Sequence, residues 1–193
     1  MASDKEFKEI RLNGEKVFSG DLLHVYRDEV QLPDGIKSKR EYIKHPGASV
    51  IIPYTEDGKI ILIRQYRYPT QQMMLELPAG KIDPGENPEE SIDRELAEET
   101  GFGAHFIKKL GKIHSCVGYS DEIVHLFWGS SLYENNLEED EGENIVKVPM
   151  AIDKAMQKVL TGEITDAKTT IGLFWADRIL QNEKFRKELG IEI

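Results

Sequence analysis

The chain has 193 residues, with 35 acidic against 25 basic side chains and a formal net charge of −10. That length buries one substantial core with room for a small extra subdomain. The acidic balance excludes a broad nucleic-acid-binding surface or an anionic-membrane binder, though not a small phosphate ligand held by a metal and a few arginines.

Met1-Ala-Ser-Asp-Lys-Glu6 offers no apolar signal-peptide core. The longest apolar runs, such as Ile60-Ile-Leu-Ile63, are strand-sized and too short to cross a bilayer. One cysteine, Cys116, makes no internal disulfide, so a reducing cytoplasm is the expected location. The histidines at 24, 45, 105, 114 and 125 show no zinc-type spacing with it and read as structural or surface residues.

Residues 1–46 alternate in short segments: Glu15–Phe18, Leu22–Leu32, a turn at Pro33-Asp-Gly35, then Ser38–His45. They predict a small antiparallel sheet that needs another surface to cover it. Pro46-Gly47 marks the boundary of a second domain, 47–193. Its predicted strands are Ala48–Tyr54, Lys59–Tyr66, Met73–Leu77, His105–Ser115 and Glu122–Ser131, followed by a short strand at Ile145–Val148. Met150–Leu160 has helical periodicity, and Asp166 is placed to cap a longer helix whose apolar positions include Ile171, Phe174, Trp175 and Ile179, read as core.

Between these elements lies Gly80–Phe102, in which Asp83-Pro-Gly-Glu86 has turn chemistry and leads into a helix. Asn87 fits the N-cap, Pro88 the first helical position, Glu90 a capping box and Gly101 the C-terminal stop, which predicts a helix over 88–100. Ile92 and Leu96 can anchor it to a core, and Arg94 stands four residues before Glu98. Glu95, Glu98 and Glu99 share a face, where like charges repel. A divalent cation removes that conflict, and carboxylate oxygens suit Mg²⁺ or Mn²⁺. Taken alone, Glu-x-x-Glu-Glu is ordinarily a solvated acidic face.

The complete spacing of Gly80, Glu86, Arg94-Glu-Leu96, Glu98-Glu99 and Gly101-Phe102 resembles, without gap or substitution, the signature box of the Nudix hydrolases. Ser38–Gly47, Arg64-Gln-Tyr-Arg67, Leu75–Gly80, Gly118–Ile123 and Asp166-Ala-Lys-Thr169 are similar to the branch that hydrolyses ADP-ribose and other nucleoside diphosphate sugars. The resemblance implies a Nudix α/β/α sandwich with a mixed sheet, preceded by the small N-terminal antiparallel sheet. It also implies a homodimer formed through exchanged N-terminal sheets; the charge balance separately leads to the expectation of no nucleic-acid or membrane partner.

By the same resemblance the Ala79 carbonyl, Glu95 and Glu99 ligate divalent ions, with Glu98 nearby or bridging. Arg40, Glu41 and Arg67 contact substrate across the dimer, and Glu122 contacts it from a substrate loop. The base comes from the acidic loop, at Glu141 or Glu143. For Arg40 and Arg67 a surface ion pair remains the alternative, for Glu122 a loop cap, and for the acidic loop simple solvation. Val117 stands where ADP-ribose-specific relatives usually carry proline, which widens the expected substrate class to nucleoside diphosphate sugars generally. Hydrolysis of nucleoside triphosphates or dinucleoside polyphosphates is the alternative within the family, and a non-catalytic nucleotide-sensing domain the alternative outside it.

Overall fold

The computed structural model describes residues 4–135 and 144–193. They form two compact units: Met1–Pro46 with His114–Ile123, and Gly47–Ile113 with Val124–Ile193.

In the first unit a 3₁₀ turn at Asp4–Phe7 precedes three strands, β1 (Ile10–Ser19), β2 (His24–Gln31) and β3 (Lys37–Lys44). They pair antiparallel in the order β1-β2-β3. Asp28 is buried on β2, where Arg11 Nε donates to it at 2.7 Å and the Tyr42 hydroxyl at 3.1 Å. Gly14 is required beside it, because a Cβ there would overlap the Asp28 carboxylate. The segment His114–Ile123 joins this unit through Ile43 N–H to Tyr119 O at 2.8 Å and His45 N–H to an Asp121 carboxylate oxygen at 2.8 Å. Every residue of β1 is exposed, including Ile10, Leu12, Val17 and Phe18.

The second unit is built from two sheets and four helices among the described residues. One sheet has the order β10-β5-β6, with β5 at Lys59–Arg67, β6 at Gln72–Glu76 and β10 at Ile145–Ala151. The other has the order β7-β4-β9-β8, with β4 at Ala48–Pro53, β7 at Ala79–Lys81, β8 at Phe102–His114 and β9 at Ile123–Glu134. It is mixed, since β4 runs antiparallel to β7 and parallel to β9.

Alternation along β4 and β9 decides what each face buries. Val50, Ile52, Leu126 and Trp128 enter the larger core with Leu173, Ala176 and Ile179 of α3 (Ala167–Gln181). Ile51 and Phe127, one residue out of phase, pack with Ile92 and Leu96 of α1 (Pro88–Thr100). Helices therefore lie on opposite faces of this sheet. The remaining helices are α2 (Ile152–Leu160) and α4 (Glu183–Leu189).

Two expectations fail locally. Met150 is not helical; it pairs with Ile60 in the β10–β5 ladder, and the helix begins only at Ile152. Pro149 is tolerated within β10 because that strand is at the sheet edge, where one side of the backbone needs no partner. Phe174 is half exposed rather than core; the buried face of α3 is Thr169, Gly172, Leu173, Ala176 and Ile179.

Candidate active site

The loop before α1 is closed by Glu86, whose N–H donates to Asp83 O at 3.0 Å while its carboxylate accepts from Asp83 N–H at 3.0 Å. Gly85 has a φ of 92°, a conformation that L side chains rarely adopt. Asn87 accepts from the N–H groups of Glu89 and Glu90, and Glu90 reaches back to Asn87 N–H at 3.0 Å, which completes the capping box. Gly101, at a φ of 67°, ends the helix and donates its N–H to Ala97 O. Ser49 Oγ, from β4, donates to Pro88 O at 2.9 Å and fixes the start of the helix.

With Ile92 and Leu96 committed to the core, Glu95 and Glu98 lie on a partly covered side of the helix, their side chains 13% and 16% exposed. Arg94 gathers them. The guanidinium lies 3.1 Å from Glu86, 2.9 Å from Glu95 and 2.7 Å from Glu98. The sequence pointed only to the Glu98 contact. Hydrogen bonding to Arg94 holds the Glu86 carboxyl below the usual range, and its acidic neighbours push the Arg94 guanidinium strongly upward. A like-charge cluster is thus partly compensated within the helix and its loop, one guanidinium against three carboxylates.

Glu99 is buried and accepts the Ala79 N–H at 2.8 Å. Glu95 lies across Gly80: a Cβ on that residue would overlap its carboxyl group. The short strand β7 is therefore bonded to one box carboxylate and passes directly under another. Among the described residues, no three Asp, Glu, His or Cys side chains converge as a ready-made cage for a metal ion. The donor set nonetheless fits a hard divalent cation. Glu95, Glu98, Glu99 and the Ala79 carbonyl offer only oxygen, and Gly80 clears the space over the backbone that such an ion's ligands would share.

Arg67 ends β5 and forms a two-pronged pair with Glu76 of β6, Nε to Oε1 at 2.8 Å and Nη2 to Oε2 at 3.0 Å. Lys168 of α3 contacts the same Glu76 oxygen and also Asp166 at 3.0 Å. Burial pushes the Glu76 carboxyl up, but the Arg67 hydrogen bond and the Lys168 charge outweigh it and hold it below the usual range. Glu76 raises the Arg67 guanidinium most, and the charges of Glu99 and Asp166 add to that field, which links this cluster electrostatically to the box. Thr169 Oγ1 donates to Asp166 at 2.6 Å and accepts the Leu77 N–H at 2.8 Å. Glu76 to Gly80 is consequently bonded at nearly every step.

The other predicted substrate residues lie in the N-terminal unit. Arg40 pairs with Glu9 at 2.5 Å and Glu41 with Arg27 at 2.9 Å, both at exposed positions. Glu122 accepts from the Ser115 hydroxyl and lies 3.5 Å from His45 Nδ1. Glu141 and Glu143 lie outside the described residues. Sequence reasoning gave no role to Glu76 or Lys168. The available signal was an acid inside apolar Leu75-Glu-Leu77 and a lysine just past a helix cap, but nothing in either stretch names the other as its partner.

A NUDIX domain model matches residues 43–170. The chain is 39% identical over 171 residues to an ADP-ribose pyrophosphatase of Bacillus subtilis, covering 88% of this chain and 92% of that protein. It is 38% identical, with the same coverage, to a methanol dehydrogenase activator of Bacillus methanolicus. The crystal structure of an ADP compounds hydrolase superposes with a TM-score of 0.82 at 28% identity, over 91% of this chain and 96% of the other. The box geometry, the domain match over most of the chain and the similarity to full-length relatives agree: the chain belongs to the Nudix family.

Proposed function

We propose that this Nudix hydrolase cleaves the pyrophosphate linkage of nucleoside diphosphate sugars. ADP-ribose would yield AMP and ribose 5-phosphate; another nucleotide sugar would yield a nucleoside monophosphate and a sugar 1-phosphate. The observation that carries this reading is the placement of Glu95 over Gly80 and of Glu99 on the Ala79 amide, with Arg67 in the field of Glu99. The named activities of the Bacillus subtilis relative and of the ADP compounds hydrolase support the substrate class.

Nudix hydrolases use divalent metal ions, here Mg²⁺ or Mn²⁺, which Glu95, Glu98, Glu99 and the Ala79 carbonyl would hold. Bound there, such ions supply charge neutralisation on the diphosphate and on the attacking and leaving oxygens. Arg94 keeps Glu95 and Glu98 gathered on one side of α1. Arg67 binds phosphate oxygens through the part of its planar fork not used on Glu76. Glu141 or Glu143 takes the proton of the attacking water.

Arg40, Glu41 and Glu122 contact the substrate, the first two from a second copy of the chain. Their present partners are exposed ion pairs for Arg40 and Glu41, which cost little to exchange for a ligand. A homodimer would also cover β1, which exposes Ile10, Leu12, Val17 and Phe18. The lone Cys116 and the net charge of −10 fit a cytoplasmic enzyme without nucleic-acid or membrane partners. No helix among the described residues is long and apolar enough to cross a membrane.

Retention of Glu95, Glu98 and Glu99 disfavours a purely sensing domain. A panel of ADP-ribose, other nucleotide sugars, nucleoside triphosphates and dinucleoside polyphosphates, assayed with Mg²⁺ and with Mn²⁺, tests the proposal. Cleavage of nucleotide sugars is expected. Release of pyrophosphate from triphosphates with no cleavage of nucleotide sugars would replace it with the alternative within the family.

A further inference from the structure

We propose that Lys168 is a positioning residue for substrate binding, acting through Glu76 to keep the Arg67 guanidinium both fixed in place and incompletely neutralised. The inference deepens the pyrophosphatase reading and rests on it.

The Glu76 carboxylate is almost fully buried, its side chain 3% exposed, so its charge must be met by nearby cations. Arg67 meets it with two hydrogen bonds, which fix the guanidinium plane as a single hydrogen bond would not. Without Lys168, the group of Arg67, Glu76 and Asp166 would carry one net negative charge, a poor partner for a diphosphate. Lys168 changes that sum. Its side chain is 18% exposed, and its ammonium shares the Glu76 oxygen that Nη2 of Arg67 uses. With Lys168 present, Arg67, Glu76, Lys168 and Asp166 together sum to zero, while Arg67 remains 39% exposed and presents its other donors away from Glu76.

Lys168 is itself held. It contacts Asp166, the N-cap of α3, and the adjacent Thr169 bonds the Leu77 amide. The ammonium is therefore tied to the same stretch of chain that carries Glu76 and leads to Ala79 and Gly80. Asp166 is 20% exposed and also accepts from the Thr169 N–H and hydroxyl, so it is held in place by α3 as well as by Lys168.

The test compares Lys168→Met, Lys168→Arg and the double variant Glu76→Gln/Lys168→Met in the full-length protein. ADP-ribose binding is measured by calorimetry in EDTA, with kcat, KM and thermal unfolding alongside. Lys168→Met lowers the local charge by one and should weaken ADP-ribose binding and raise KM roughly tenfold, with kcat within about twofold. Lys168→Arg should restore binding. The double variant returns the local charge to its starting value, removes the stranded buried carboxylate, and should recover most of the lost affinity; Lys168→Gln, which loses the charge but keeps a donor for the buried carboxylate, should show the same weakened binding and stands in for Lys168→Met if that protein does not fold.

A merely structural lysine predicts otherwise. Unchanged affinity in Lys168→Met, or a double variant that binds no better than the single one, would overturn the proposal. If wild-type protein neither binds nor cleaves ADP-ribose or any other nucleotide sugar in the panel, the pyrophosphatase reading fails and this inference falls with it. Wild-type binding together with an unaffected Lys168→Met sinks only the role of Lys168.

Discussion

The carboxyl group of Glu95 occupies the space in which a side chain on Gly80 would have to stand. The glycine is thus demanded by a close approach rather than by a turn, and the approach brings a helix carboxylate over the backbone of β7. The obstructing atoms are the far end of a flexible side chain, so Gly80→Ala should displace Glu95 without unfolding the chain. We expect thermal unfolding within a few degrees of wild type and kcat reduced about 100-fold, the scale of a displacement near 1 Å in an active site. Steady-state kinetics beside circular dichroism checks this; wild-type kcat in a folded Gly80→Ala protein would contradict it.

Thr169 is fully buried and its hydroxyl accepts the Leu77 amide proton at 2.8 Å, across 92 residues of sequence. Thr169→Val keeps the shape and orphans that amide. Such a loss costs about 1–3 kcal/mol. Urea unfolding should show a lower midpoint at unchanged slope.

Glu76 carries a pH signature. Its folded carboxyl sits below the usual range, so the unfolded chain binds its proton more readily. The Arg67 and Lys168 interactions therefore contribute stability that is full above the ordinary carboxylate value of 4.5 and is lost as pH falls through the folded value. Glu76→Gln cannot titrate. The stability difference between wild type and Glu76→Gln should be constant near neutrality and shrink below about pH 5. Melting curves from pH 3 to 7 read this directly, and a difference independent of pH would rule it out.

The legible parts of the fold are those set by neighbours in sequence. Asn87, Pro88, Glu90 and Gly101 placed α1 at 88–100, where it stands, because capping is decided within a few residues. Ile92 and Leu96 named its buried face for the same reason. Met150 misled because helix-like apolar spacing also fits an edge strand, and its fate depends on Ile60, which is remote in sequence. Likewise, Arg94 to Glu98 follows from helical spacing, whereas Glu86 joins it only through the loop's closure. Glu76 and Lys168 meet through the docking of α3, which no local pattern records.

Exposure of every β1 residue leads to a prediction about assembly. Sedimentation velocity should show a dimer, and Phe18→Glu together with Leu12→Glu should shift it toward monomer. A wild-type monomer at micromolar concentration would remove the case for Arg40 and Glu41 reaching substrate from a second copy.

The most direct test of the central claim is Glu99→Gln assayed on ADP-ribose. The amide oxygen of glutamine can still accept the Ala79 N–H now bonded at 2.8 Å, so the fold should hold while a charged oxygen ligand is lost. With unfolding temperature near wild type, release of AMP and ribose 5-phosphate should fall by at least about 1,000-fold. A folded Glu99→Gln protein that releases both products at the wild-type rate would contradict the account.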